Sequence, residues 1–212
     1  MLLSEQQKTC FLCTPAADLL YANTADAIAL CGLGPLIPGY SVVATKAHTA
    51  SVADAISDAP SFLSFAERIR ESLATKYGNC LVTEHGRIPV CFDPSGTSDP
   101  HCYHAHFLLF PGVPDVVQAA RPYFAVVERA PSLRLALEQT AEAKDYFLIS
   151  PSATEAYVMT RPGRIIRQFA RVLVADAIGD SRRANWRKFP ERESCANTAK
   201  ILRELLTGGT AA

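Results

Sequence analysis

Three of the protein's five histidines stand close together, at His101, His104 and His106. Alternation along an extended strand puts His104 and His106 on one face, roughly 7 Å apart at their α-carbons. Two imidazoles at this spacing can share one ligand or take two different roles, and we favour two roles. The structural alternative is a pair of half-buried, hydrogen-bonded histidines. This stretch is therefore the first candidate for a site of chemistry.

Two cysteines near the beginning of the chain are a second candidate. Cys10 and Cys13 have the Cys-x-x-Cys spacing, which can present two thiolates to one metal ion and also serves redox chemistry. The alternative is that both are simply buried thiols. Most of the other cysteines lie singly within apolar runs, which is typical of small buried residues in a reducing compartment and not of a disulfide framework.

The histidine stretch resembles the signature of the histidine triad (HIT) family, His-x-His-x-His followed by apolar residues and often a proline. The matching residues are His104-Ala105-His106-Phe107-Leu108-Leu109-Phe110-Pro111. The third triad position is Leu108. An alternative register takes Cys102, His104 and His106 as the triple but misplaces the proline, so we prefer the register that aligns Pro111.

A second segment strengthens this resemblance. Residues 38–48, Pro-Gly-Tyr-Ser-Val-Val-Ala-Thr-Lys-Ala-His, are similar to the family's Pro-Gly-His-x-Leu-Val-Ile-Pro-Lys-x-His segment. The Lys-x-His ending is retained, whereas Tyr40 replaces a histidine and Thr45 replaces a proline. With Cys-x-x-Cys added, residues 10–111 resemble the zinc-bearing HIT proteins and their galactose-1-phosphate uridylyltransferase relatives.

This resemblance implies a metal site and a nucleophile. The implied zinc ligands are Cys10, Cys13, His48 and His104, which leaves His106 as the nucleophile. Two thiolates and two imidazoles fill a tetrahedral site, so the zinc is expected to be structural, because a hydrolytic zinc keeps one position open for water.

The implied activity is that of a nucleotide hydrolase or nucleotidyltransferase acting on a phosphoanhydride or phosphoramidate. An imidazole with an ordinary pKa of about 6.5 is largely neutral at pH 7, so His106 can attack phosphorus and form a covalent nucleotidyl-histidine. Leu108 cannot donate a hydrogen bond to the phosphate as the third histidine would. The alternative is therefore a zinc-stabilised nucleotide-binding or interaction module with weak or lost catalysis.

Further residues are weaker candidates. We expect His101 to act as a catalytic donor to the phosphate or leaving group; the alternative is an exposed loop histidine beside Pro100. Ser95, Thr97 and Ser98 are candidates for substrate binding in the same loop. The basic residues near the C-terminus either are simply solvated or bind substrate phosphates: Arg161, Arg164, Arg167, Arg171, Arg182, Arg183, Arg187 and Lys188.

The elements that must position these residues follow from hydrophobic patterning. The predicted strands cover residues 19–21, 27–31, 40–44, 80–84, 101–110, 123–127, 146–150 and 156–159. The predicted helices cover residues 61–77, 115–120, 132–141, 163–178 and 194–206, and residues 87–100 form a long loop. Short connections between the early strands favour antiparallel pairing, so we expect an α+β, HIT-like antiparallel sheet flanked by helices. Residues 1–112 are predicted to form the HIT-like core and residues 113–212 a C-terminal α/β extension packed on it.

Composition excludes some classes of partner. The chain has 212 residues, 49% of them hydrophobic, with 21 basic and 21 acidic side chains, so charge indicates neither nucleic acid nor a membrane surface. No segment approaches the roughly 20 apolar residues of a membrane span, and the N-terminus does not resemble a signal peptide. We expect a cytoplasmic protein with a nucleotide or dinucleotide as its substrate, and the sequence allows a homodimer.

Overall fold

A computed structural model describes residues 10–88, 104–140, 142–163 and 165–208. Its strands are β1 (Leu20–Asn23), β2 (Ala27–Cys31), β3 (Ser41–Thr45), β4 (Cys80–Glu84), β5 (His106–Pro111), β6 (Phe124–Ala130), β7 (Tyr146–Ser152) and β8 (Glu155–Pro162). They form one sheet in the order β1-β2-β3-β5-β4-β7-β8-β6, and their pairings are antiparallel.

Helices flank this sheet. They are α1 (Val52–Ala55), α2 (Phe62–Tyr77), α3 (Val117–Ala120), α4 (Leu133–Gln139), α5 (Phe169–Ala177) and α6 (Arg192–Gly208), with 3-10 turns at Arg121–Tyr123 and Ser181–Ala184. The predicted α+β class with an antiparallel sheet is confirmed. Within the described ranges, no helix is both long enough and apolar enough to cross a membrane.

The strand β5 lies inside the sheet, between β3 and β4. Its Phe107 and Leu109 are fully buried, whereas His106 and Leu108 are only half-buried. The predicted alternation is therefore present: one face of β5 belongs to the core, and the other carries His106.

The core face of β5 is covered by α2. Apolar side chains recur along this helix every three or four residues and are buried, and the Phe62 ring lies 5.5 Å from the ring of Phe107. The helix ends at Gly78, whose φ of 93° is a conformation that glycine adopts at little cost. Burying this face fixes the plane of β5 and hence the direction of His106.

On the other face, aromatic side chains attach α5 to the sheet. The ring of Phe169 lies 5.2 Å from that of Phe147 and 6.0 Å from that of Phe124, and Phe124 stacks on Phe147 at 5.7 Å. Large aromatic groups bury much apolar area, so this cluster holds the C-terminal region against the sheet. The division after residue 112 stays a prediction, although residues on both sides of it contribute strands to one sheet.

Two predicted elements differ from the structure, and one helix was not predicted. The helix predicted over residues 163–178 begins only at Phe169, because Gln168 has a φ of 60° and residues 165–167 are not helical. The strand β5 begins at His106, while His104 and Ala105 precede it and residues 101–103 lie outside the described ranges. The four-residue helix α1 was not predicted, since so short a helix has no periodicity to detect.

Candidate metal centre and the histidine beside it

A tight turn presents the two cysteines of the Cys-x-x-Cys motif. The backbone N–H groups of Cys13 and Thr14 both donate to the carbonyl oxygen of Cys10, at 3.1 and 3.3 Å. This turn directs both thiols toward the end of β3 and the residues just before β5. Cys10 is buried, with 1% of its surface exposed, and Cys13 is half-buried.

Four side chains converge at this point. One ligand atom from each of Cys10, Cys13, His48 and His104 lies within 4.8 Å of every other. The Sγ of Cys13 is 3.0 Å from Nδ1 of His48 and 3.5 Å from Nδ1 of His104, and the Sγ of Cys10 is 3.3 Å from Nδ1 of His104. Sulfur and nitrogen ligands of one tetrahedral zinc are separated by about 3.6 Å, so the four groups fit a zinc ion with modest adjustment.

The tautomer of His104 suits metal binding. Its Nε2 lies 2.7 Å from the carbonyl oxygen of Thr45, which can only accept, so Nε2 carries the proton and Nδ1 keeps a lone pair toward the cysteines. A ligating histidine whose other nitrogen donates to a carbonyl is the usual arrangement in metal sites.

Burial affects the protonation of two groups in this cluster. Burial lowers the pKa of His104 to about 4, so its imidazole is neutral at pH 7. Burial and the neighbouring thiol of Cys10 raise the pKa of Cys13 to about 11. A divalent cation would reverse that rise, because it stabilises the thiolate.

The segment that carries His48 is fastened to the residues before β5. The N–H of Thr45 donates to the carbonyl of Ala105 at 3.1 Å, and the N–H of Ala105 donates to the carbonyl of Thr49 at 2.8 Å. These bonds bracket His48 and fix its distance from His104. The Lys-x-His ending thus lies where the second imidazole can reach the two cysteines.

His106 begins β5 beside this cluster. Its Nδ1 donates to the carbonyl oxygen of His104 at 2.6 Å, which leaves the lone pair on Nε2. Burial lowers the pKa of His106, so the ring is neutral at pH 7. A neutral imidazole held by one nitrogen and basic at the other is the form that nucleophilic catalysis requires.

Leu108 follows on the same face of β5. It is half-buried and lies opposite Thr83 of β4, whose buried hydroxyl has no hydrogen-bond partner among the described residues. Thr83 was not singled out in the sequence, because its position beside Leu108 depends on the pairing of β4 with β5. Thr83 therefore places a hydroxyl donor close to Leu108.

Of the remaining sequence candidates, some lie outside the described residues and two arginines have hydrogen-bond partners within the fold. His101, Ser95, Thr97 and Ser98, with Cys102 of the alternative register, lie outside the described residues. In the basic C-terminal region, the guanidinium of Arg171 is buried and donates to three carbonyl oxygens, those of Gly34, Arg183 and Ala184. Arg183 donates to the carbonyl of Pro35 and to Glu191 at the start of α6. These two arginines therefore have structural partners.

The sequence assigned no role to two further groups in this region. The carbonyl of Thr45 fixes the tautomer of His104, yet the sequence shows Thr45 only as a departure from a proline. Glu84, the last residue of β4, is a buried carboxylate bonded to the start of α1. Neither has a local sequence signal, because their partners are distant in the chain.

Comparisons with known proteins find weak structural likeness. No family model matches the chain, and no curated protein matches it. Among solved structures, one similar chain is a Hit-like protein involved in cell-cycle regulation from Bartonella henselae, crystallised with an unknown ligand. It is 17% identical over 48% of this chain and 74% of its own, with a TM-score of 0.35.

The NitFhit protein of C. elegans is also similar, with 18% identity over 45% of this chain and a TM-score of 0.35. The alignment covers 22% of that protein, so this chain corresponds to a small part of it. Similarities at this level do not establish a family.

Proposed function

We propose that this protein is a HIT-type nucleotide hydrolase or nucleotidyltransferase that acts through a covalent nucleotidyl-histidine at His106. Its substrate class is a nucleotide phosphoanhydride or phosphoramidate. The observation that carries this proposal is the bond from His106 Nδ1 to the carbonyl of His104, which fixes the ring and leaves Nε2 as the nucleophile. The same carbonyl would stabilise the positive charge that the ring acquires when Nε2 attacks.

The reaction then has two displacements at phosphorus. In the first, the lone pair of His106 Nε2 forms a bond to phosphorus, and the bond from phosphorus to the leaving oxygen or nitrogen breaks with its electron pair on the leaving group. In the second, water, phosphate or another acceptor attacks the same phosphorus, and the bond to Nε2 breaks. Splitting one slow displacement into two lowers the highest barrier.

We further propose that Cys10, Cys13, His48 and His104 bind one structural zinc ion. The closeness of the four ligand atoms and the tautomer of His104 support this. Zinc bound there would tie the N-terminal cysteine turn to His48 and His104, and so hold the carbonyl of His104 in place for His106. Because both cysteines must stay reduced to bind metal, we infer a reducing, cytoplasmic setting. The zinc-bearing HIT proteins and the uridylyltransferase relatives are the relationship we propose.

His104 is a poor candidate for the nucleophile, which favours the register that includes Leu108. Its Nε2 donates to Thr45 and its Nδ1 points toward two thiols. Neither nitrogen is left for attack on phosphorus.

The second candidate function is a metal-stabilised nucleotide-binding or interaction module, and Leu108 is the observation that favours it. A leucine beside His106 can neither bind nor neutralise a phosphate oxygen. In that case, nucleotides would bind without turnover. Self-association into a homodimer is compatible with either function and stays a prediction.

A substrate screen with two variants tests the proposal. Purified protein is incubated with mononucleotide phosphoramidates and dinucleoside polyphosphates, and products are separated by chromatography. His106→Asn should keep fold and metal, bind nucleotide within a few-fold of wild type, and lose turnover by several orders of magnitude. His104→Asn should instead release metal and destabilise the protein. Full activity in His106→Asn would contradict the proposal, and binding without turnover in wild type would favour the second function.

A further inference from the structure

Glu84 carries a buried carboxyl group that the proposed reaction does not use. Its residue is 3% exposed, at the end of β4. Oε1 accepts the N–H of Val52 at 2.7 Å, and the hydroxyl of Tyr146 lies 2.8 Å from both carboxylate oxygens. A carboxylate removed from water is costly unless such donors satisfy it, so these contacts decide whether the local structure is stable.

The backbone donors to Glu84 and Tyr146 belong to the segment that follows His48. Val52 is the first residue of α1, and the next N–H, that of Ala53, donates to the hydroxyl of Tyr146 at 3.3 Å. The first two N–H groups of α1 therefore end on the pair formed by Glu84 and Tyr146. Such groups have no partner within their own helix, which makes an external acceptor valuable.

The other end of the same segment is fastened to the residues before β5, through Thr45, Thr49 and Ala105. His48 lies between these two attachments, with Nδ1 3.0 Å from the Sγ of Cys13. We propose that Glu84 is a positioning residue, which fixes the segment carrying His48 through Val52 and Tyr146 and so sets the geometry of the four-ligand metal centre. This inference rests on the metal site of the proposed function and adds a residue that holds it in shape.

The charges around Glu84 are compatible with this role. Arg87 lies after β4 and Asp54 in α1, and the two form an ion pair at 2.7 Å over the same region. Arg87 also donates to the carbonyls of Thr140 and Ala143, and its guanidinium lies 5.6 Å from the centre of the Tyr146 ring. The start of α1, the end of β4 and β7 are thus joined around one carboxylate.

Two substitutions distinguish the loss of the hydrogen-bond acceptor from a change in side-chain volume. Glu84→Gln keeps an oxygen for the N–H of Val52, whereas Glu84→Leu fills similar space with no acceptor. The probe is Co²⁺, whose absorption spectrum reports a tetrahedral thiolate–imidazole site. We expect Glu84→Leu to weaken Co²⁺ binding about tenfold or more, the range seen when a group behind a ligand is lost, and Glu84→Gln to stay within about threefold of wild type.

A matched control excludes general destabilisation. Leu173→Ala creates a cavity in α5, away from the segment, and should lower the melting temperature without changing Co²⁺ affinity. Unchanged affinity in folded Glu84→Leu, or an equal loss in Leu173→Ala, would overturn the inference. If Glu84→Leu does not fold, Tyr146→Phe replaces it, with a smaller expected loss of Co²⁺ affinity; no loss would overturn the inference.

A second measurement distinguishes failure of this inference from failure of the metal site. If wild type binds no Co²⁺, the proposed metal centre is wrong, and amide hydrogen exchange then decides the role of Glu84. Exchange at Val52, Ala53 and Ala105 should be faster in Glu84→Leu than in wild type and Glu84→Gln. Equal exchange in all three proteins would overturn it.

Discussion

Two polar clusters inside this fold differ in whether the chain satisfies them. Arg70 of α2 is buried, and its guanidinium donates to the carbonyl of Cys80 at 2.9 Å and to the hydroxyl and carbonyl of Ser150 at 2.9 Å each. It ties a helix to two strands. The group formed by Cys10, Cys13, His48 and His104 instead points lone pairs and thiols at a shared point.

The contrast between the Arg70 contacts and the Cys–His group distinguishes a structural cluster from a candidate functional one. A buried guanidinium whose three nitrogens each donate to an acceptor within the fold is explained by folding alone. Four groups with metal-ligand chemistry that converge on one point have the arrangement that could hold a metal ion. His106 stands next to the second cluster and takes its orientation from it, through the carbonyl of His104.

Removing one ligand from the four-ligand centre should reduce stability more than any other change considered. Cys13→Ala should lose most bound zinc and lower the free energy of unfolding by several kcal/mol, since apparent zinc binding in small zinc peptides is about 10–16 kcal/mol. Metal analysis and thermal unfolding of untagged protein measure both. Cys80→Ala is the control, because this thiol is more buried than that of Cys13, with 1% of its surface exposed, but lies outside the cluster. Equal melting temperatures for Cys13→Ala and wild type would remove the structural role of the metal.

Glu84 should make an intermediate contribution to the free energy of unfolding, and this contribution should depend on pH. Burial raises its pKa to about 7 from an ordinary 4.5, against the opposing contributions of the Val52 N–H and Tyr146. Between these pH values the folded state keeps a proton that the unfolded state releases, so stability falls as pH rises through this window, by about 3 kcal/mol in total. Glu84→Gln should lose this fall. Urea unfolding at pH 5 and pH 8 tests it, and identical pH dependence in both proteins would contradict the assignment.

Removing the Arg70 guanidinium should have the smallest effect on stability and none on function. Arg70→Met leaves carbonyl groups of β4 and β7 without donors, so we expect a loss of about 1–3 kcal/mol in the free energy of unfolding. Zinc content and turnover should be unchanged. Arg68→Met, exposed on the same helix, is the control and should stay within about 0.5 kcal/mol. Metal loss in Arg70→Met would abolish the distinction between the clusters.

The sequence predicts elements well where burial repeats locally. Residues 80–84 and 27–31 are strands as expected, and α2 begins within one residue of its predicted start. The alternation of Phe107 and Leu109 with His106 and Leu108 was readable because one face of β5 is core. The motif spacings likewise indicated the four groups that converge in the metal cluster, with the help of a family resemblance.

What the sequence does not contain is long-range pairing. Glu84 accepts hydrogen bonds from Val52 and Tyr146, which are 32 and 62 residues away, so no local sequence pattern reveals these contacts. Thr83 lies opposite Leu108 only because β4 pairs with β5. The apolar stripe over residues 165–178 predicts one helix, yet Gln168 adopts a left-handed conformation that interrupts it.

The most direct test of His106 as the nucleophile is native mass spectrometry at neutral pH. The protein is mixed with a nucleotide that it converts to product. Wild type should gain the mass of one nucleotidyl group, and fragmentation should locate it on His106. His106→Asn, folded and metal-loaded, should show no such adduct. An adduct that persists in His106→Asn, or one located on His104, would contradict the assignment of His106 as the nucleophile.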